Sequence, residues 1–227
     1  MTFNRFVLST SLLLSLVVVV SIAKADANEL EKYGIPEQIS TYANLKWQPE
    51  IVEPKYSIET ATIDDFDFKA VKATLSLSVP FDQAVLLFPQ NDACWQWLSR
   101  CKSSKTLRQI TDDKAIVYTN IDMPWPITDR SFVFLSDTQR SSDRLEMRFI
   151  PSDLHVEVEK RTVRGFAYSH YVIEPSSNAD MADIETNVTV VMYTNFGGSV
   201  SAGLINGKLA DEMESDLINL LKLSTPK

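Results

Sequence analysis

The stretch Asp122-Met123-Pro124-Trp125-Pro126-Ile127-Thr128-Asp129-Arg130-Ser131-Phe132-Val133 changes character halfway along. Its first half cannot extend a sheet. Two prolines fix φ on either side of Trp125 and remove two backbone donors, so the tryptophan reads as the anchor of a rigid loop. The second half is aromatic and β-branched, and residues 131–135 read as a strand. On the two-residue period of a strand, Arg130, Phe132 and Phe134 share one face. A stiff loop therefore delivers the chain into a strand that carries a cation at its head.

Strands continue on both sides of this one. Residues 115–119, 145–150, 155–163, 166–173 and 185–193 are also β-branched or aromatic runs broken by Asp, Ser, Asn or Gly. With 131–135 they make six strands in succession, which predicts an antiparallel meander. Upstream, residues 68–79 alternate apolar and polar as a half-buried strand does, residues 47–67 hold short strands, and 105–110 reads as extended. Helical spacing predicts a helix over 36–45 with Pro36 in its first turn, another over 82–88, and a third opened by Asn91 with Cys94, Trp97 and Leu98 on its apolar face. Gly197-Gly198 ends the last strand. Beyond it, Leu204, Ile205, Leu209, Met213, Leu217, Leu220 and Leu221 recur at three- and four-residue steps, which predicts one long amphipathic helix. The order of elements gives an α+β fold with helices on one face of the sheet. No internal repeat or Pro-, Gly- or Ser-rich linker divides residues 26–227, which read as one domain.

The Pro-Trp-Pro loop and the strand after it closely resemble the segment with which START (steroidogenic acute regulatory protein-related lipid-transfer) domains enter a central strand. Trp97 upstream, Gly197-Gly198 at the end of the last strand and Leu204-Ile205-Asn206 opening the terminal helix follow in the family's order. The resemblance spans about residues 47–223. It implies a helix-grip fold, in which a curved antiparallel sheet wraps a long C-terminal helix around an internal apolar cavity that holds one lipid. Burying a lipid's chains in such a cavity is favourable by about 25 cal/mol per Å² of apolar area. One departure stands out. Sterol-binding members of the family pair a buried acid with a buried arginine, and the matching positions here are Asn120 and Ser136. The missing charged pair puts sterol specificity in doubt.

On this reading Tyr118, Asn120, Phe132, Phe134, Tyr168 and Met192 line the cavity from the sheet, and Leu204, Ile205 and Leu209 face them from the helix. Plain core packing is the alternative for each. Arg130 either meets a lipid headgroup or forms an ion pair with a carboxylate that pins the Pro-Trp-Pro loop. The two histidines, His155 and His170, fall in separate strands, and no nucleophile elbow, metal-binding spacing, C-x-x-C or phosphate-binding loop is present. No catalytic residue, metal or cofactor is assigned.

Composition excludes whole classes of function. The 227 residues carry a formal charge of −8 and a pI of about 4.8, which disfavours nucleic acid as a partner. Arg5 precedes an apolar run over residues 6–22, and Ala23-Lys24-Ala25 has the pattern of a signal-peptidase site. Residues 1–25 are expected to be cleaved; an uncleaved membrane anchor is the competing reading. Cys94 and Cys101 are the only cysteines. In a continuous helix they would stand about 10.5 Å apart, too far to bridge. A chain that turns back after Leu98 would bring them into disulfide range. The sequence thus reads as an exported, non-enzymatic lipid-binding or lipid-transfer protein. A bacterial periplasm is its expected compartment, and a lipid or other hydrophobic small molecule its partner, with transient membrane contact and a monomeric state. Two rivals remain: a helix-grip enzyme, cyclase or hydrolase, acting on a hydrophobic substrate, and an envelope protein-interaction module.

Overall fold

Strand β6 (Arg130–Arg140) starts at the arginine that ends the Pro-Trp-Pro loop and runs well beyond the five residues expected. The computed structural model describes residues 29–88, 92–157, 161–176 and 186–225. The expected leader lies outside the described residues. Before β6 come β1 (Gln48–Glu53), β2 (Tyr56–Ala61), β3 (Ala70–Leu77), β4 (Cys101–Thr111) and β5 (Lys114–Ile121). After it come β7 (Leu145–Pro151), β8 (Val163–Arg164), β9 (Phe166–Pro175) and β10 (Thr186–Asn195). Nine of these strands run in the order β1-β2-β3-β10-β9-β7-β6-β5-β4, each antiparallel to its neighbour.

Short turns explain the meander. Thr111 pairs with Lys114 across Asp112-Asp113, and the 141–144 turn closes with the Ser141 N–H donating to the Arg144 carbonyl at 2.8 Å. The junction of β3 with β10 joins the N-terminal hairpins to the meander. Three helical elements follow the α numbering: α1 (Phe81–Leu86), α2 (Ala202–Asn206) and α3 (Leu209–Ser224).

Both faces of the sheet are covered. Met213, Leu217 and Leu220 of α3 pack with Ile58, Val71, Ala73, Leu75, Tyr171, Ile173, Val188 and Val190 on one face. On the opposite face the N-terminal segment lays Leu30, Tyr33, Ile35 and Ile39 against Ala70, Tyr168, Val191 and Tyr193. The period of a strand divides β10 cleanly between the two, with Val188 and Val190 toward α3 and Val191 and Tyr193 away from it.

Four expectations need correction. The 36–45 helix is only a 3-10 turn, Glu37–Ser40; of the helix expected from Asn91, which itself lies outside the described residues, the described part holds a 3-10 turn at Cys94–Gln96. The 155–163 strand is not formed over 155–157; among its described residues only Val163 pairs, through two-residue β8, which runs parallel to the head of β6. The long terminal helix is interrupted between α2 and α3. At the break Asn206 turns inward: its Oδ1 accepts from the Lys69 N–H at 2.9 Å and its Nδ2 donates to the Asp67 carbonyl at 3.0 Å. A side chain committed to a neighbouring loop, followed by Gly207, ends one helix before the next begins.

Candidate functional site

Register decides which residues can share a site. In the β5–β6 pair, which has no bulge, Tyr118 lies opposite Val133 and Asn120 opposite Ser131, while Val117 and Thr119 lie opposite Phe134 and Phe132. Paired residues point to the same side. Tyr118 and Asn120 therefore face away from Phe132 and Phe134, and the expectation that all four line one cavity is corrected. Tyr118 packs with Ile116, Val133 and Leu135 on the face opposite α3. Tyr168 is also corrected to that face, where it packs with the N-terminal segment. Met192 lies on the α3 face. Ser136, paired with Ala115, is on the other side of the sheet from Asn120, so those two positions could not form a charged pair across one cavity even if their residue types allowed it.

A continuous row of rings runs along the α3 face. Trp97 meets Tyr171 edge-on with centroids 5.5 Å apart, Tyr171 meets Phe149 at 5.9 Å, Phe149 meets Phe134 at 5.9 Å, and Phe134 stacks on Phe132 at 5.8 Å. Phe88 closes the Trp97 end through contacts with both Trp97 and Tyr171. Helix α3 lies chiefly over β2 and β3, to one side of this row, and Phe134 and Phe149 stay only half-buried. Such rings offer an apolar wall with adaptable contact geometry.

The far side of α3 is tied to the segment before β4. Arg100 grips Glu212 through two bonds of 2.9 and 2.7 Å, and Asn219 donates to the Trp97 carbonyl at 3.4 Å. Asp216 Oδ1 accepts from both the N–H and the hydroxyl of Ser99, each at 2.7 Å. Burial pushes the Asp216 carboxyl up to about 6 despite those donors, and the Glu212 carboxylate adds to the rise. The same segment carries the Cys94–Cys101 disulfide, whose Cα atoms are 5.9 Å apart because the chain turns back with Cys101 N–H on the Leu98 carbonyl.

Arg130 sits at the other end of the row and is 2% exposed. It makes no ion pair with a carboxylate among the described residues. Instead its Nε donates to the Phe196 carbonyl at 2.8 Å, its Nη2 to the Gly197 carbonyl at 3.3 Å, and its Nη1 to the Thr128 carbonyl. The arginine thus pins the loop after β10 to the Pro-Trp-Pro loop through backbone oxygens. Asp129, its neighbour, turns to Lys102 and to the Met123 N–H. Burial pulls the Arg130 guanidinium below its ordinary range. A cleft of about 360 Å³ opens beside it, lined by Pro126, Ile127, Thr128, Val163, Ser199, Val200, Ser201 and Leu204. Leu204 is 52% exposed at its edge, whereas Ile205 is buried and Leu209 packs half-buried against the core.

The histidines stay apart. His155 is exposed, and His170 is buried on the face opposite α3 with its Nε2 2.7 Å from Glu146 Oε1. Burial, reinforced by Arg148, lowers the His170 pKa.

Phe149, Tyr171 and Asp216 were not singled out from sequence. Strand pairing would have found the first two, because Phe149 lies opposite both Ser136 and Ser169 and so falls on the Phe134 side. Asp216 follows Met213 by three residues on the helical apolar stripe, a polar interruption that marks it.

The START domain family model matches residues 44–214. An uncharacterised protein of Pseudomonas aeruginosa is 26% identical over 170 residues, covering 73% of this chain and 80% of that one. The fold is similar to that of a STAR-related lipid transfer protein from Xanthomonas axonopodis, with a TM-score of 0.67 at 20% identity over 78% of this chain and 98% of that chain. Human StAR-related lipid transfer protein 5 superposes with a TM-score of 0.72 at 15% identity, over 92% of this chain and 97% of the other.

Proposed function

Because the chain belongs to the START domain family, we propose that it holds one lipid, or another hydrophobic molecule of that size, between the aromatic row on the sheet and helix α3 and carries it between membranes without chemical change. The observation that carries this reading is the row itself. Five rings from Trp97 to Phe132 form an unbroken apolar wall, and its middle members Phe134 and Phe149 are only half-buried. A core built for stability alone would close over such rings. In the proposed tunnel, α3 and the disulfide-bonded segment before β4 form the wall facing the sheet.

The named relatives support the ligand class, since solved structures similar in fold include proteins named as lipid transfer proteins. Trp125 supports a brief membrane contact. It is 93% exposed at the tip of the Pro-Trp-Pro loop, with exposed Leu204 at the edge of the neighbouring cleft, and tryptophan favours the bilayer interface. The apolar run over residues 6–22 and Ala23-Lys24-Ala25 support export, with a bacterial periplasm as the proposed compartment, and the proposed working form is a monomer.

Transfer of a fluorescent phospholipid between donor and acceptor vesicles tests the reading. Stoichiometric extraction of the lipid into the soluble fraction and accelerated transfer are expected. Absence of both would defeat it, and turnover of the lipid would replace it with the enzymatic alternative.

A further inference from the structure

The cleft beside Arg130 combines features that plain packing does not require. Arg130 brings a full positive charge into its wall while 2% exposed, and among the described residues no carboxylate lies within ion-pair distance of it. The adjacent acid, Asp129, is committed to Lys102 and Met123. A guanidinium carries five N–H donors, and three bonds to the carbonyls of Thr128, Phe196 and Gly197 account for three of them. Backbone carbonyls relieve part of the cost of burying the cation, and the field of Asp129, which is itself paired with Lys102, offsets part of its charge, but no carboxylate forms a direct pair with it among the described residues. Around it the walls divide by polarity. Thr128, Ser199 and Ser201 supply hydroxyls, while Ile127, Val163, Val200 and Leu204 supply apolar surface.

We propose that this cleft takes the phosphate or carboxylate group of an amphiphile, with Arg130 as the pairing cation and Ile127, Val163, Val200 and Leu204 against the first carbons of its chain. The inference rests on the lipid-binding reading and narrows it to anionic lipids. Arg130 suits the task because its planar fork can meet two oxygens of one anion at once. Its three carbonyl bonds hold that fork in place before the ligand arrives, so little side-chain freedom is lost on binding. The aromatic row begins two residues along the same strand face, at Phe132.

Calorimetric titration of the delipidated mature chain with decyl phosphate, decanol and inorganic phosphate tests the proposal. Decyl phosphate is expected to bind at least tenfold more tightly than decanol and than inorganic phosphate. Arg130→Met should abolish that preference but also releases the loop after β10, so a second pair of variants separates charge from folding. Leu204→Asp sets a competing carboxylate at the exposed cleft edge and should erase the preference for decyl phosphate, whereas Leu204→Asn should retain it. Equal affinity for decyl phosphate and decanol in the unaltered chain would overturn the anion site and leave the lipid reading standing. Failure of both to bind would overturn the two together. Inorganic phosphate binding as tightly as decyl phosphate would assign the cleft to a free anion and overturn the amphiphile.

Discussion

Asp216 on α3 accepts the backbone N–H and the hydroxyl of Ser99 on a single carboxylate oxygen, both at 2.7 Å. This contact ties the terminal helix to the disulfide-bonded segment, and its charge stands where burial disfavours it. The folded pKa, about 6, lies above the ordinary value of 3.8. The native state therefore binds this proton more tightly than the unfolded chain, so the contribution to stability is present below the unfolded pKa and is lost as pH rises through about 6. Asp216→Asn keeps an oxygen for Ser99 without the charge. It is expected to raise unfolding stability at pH 7 by about 1–3 kcal/mol and to give no gain at pH 4. Denaturant melts at the two pH values check this, and a loss of stability at pH 7 would show that the charge itself holds the contact.

The two faces of the sheet should respond differently to substitution, at Phe149 of β7 and at Tyr168 of β9. Phe149→Gln puts an amide into the aromatic row beside Phe134 and Tyr171 and should weaken lipid binding by roughly tenfold. Tyr168→Phe, on the opposite face, should leave lipid affinity unchanged. Titration of a fluorescent fatty acid into each variant reads the difference.

These two residues also show where the sequence was legible and where it was not. The meander, the Pro-Trp-Pro loop and the head of β6 could be read because turn residues and β-branched runs mark them locally. The face of each strand could not. All but the ends of β9 are buried, with α1 packed on one side and the N-terminal segment on the other, so the alternation that identifies a solvent-facing side is erased. Tyr168 and Tyr171 look equivalent in sequence, and only pairing with β7 and β10 separates them. The break between α2 and α3 was hidden for a related reason. Leucine spacing runs straight through it, and the bonds from Asn206 to residues 67 and 69 that end the first helix come from far along the chain. Arg130 was legible as a cation at the head of a strand, but its three backbone acceptors lie in loops whose approach no local pattern encodes.

Removing the Cys94–Cys101 bridge should lower stability by about 2 kcal/mol, the modest value of a short loop. Because the bridge braces the segment that holds Ser99 and Arg100 against α3, the Cys94→Ser, Cys101→Ser double variant should also exchange lipid faster. Thermal melts and stopped-flow exchange of a fluorescent lipid measure the two effects. Unchanged exchange would show that the segment is held by its polar bonds to α3 alone.

Gly197 has φ +60, a conformation that L side chains rarely adopt, and a side chain there would run into the Arg164 carbonyl. Gly197→Ala is expected to destabilise the chain by about 1–3 kcal/mol. The same change disturbs the carbonyl that Arg130 Nη2 reaches, so any preference for anionic amphiphiles should fall with it. Calorimetric unfolding and the decyl phosphate titration follow the pair of effects.

Native mass spectrometry of the protein purified without detergent from cells that express it tests the central claim most directly. One hydrophobic molecule per chain, released intact on activation and lost in Phe149→Gln, is the expected result. A chain that emerges uniformly without such a molecule, and that takes up none when incubated with vesicles, would contradict it.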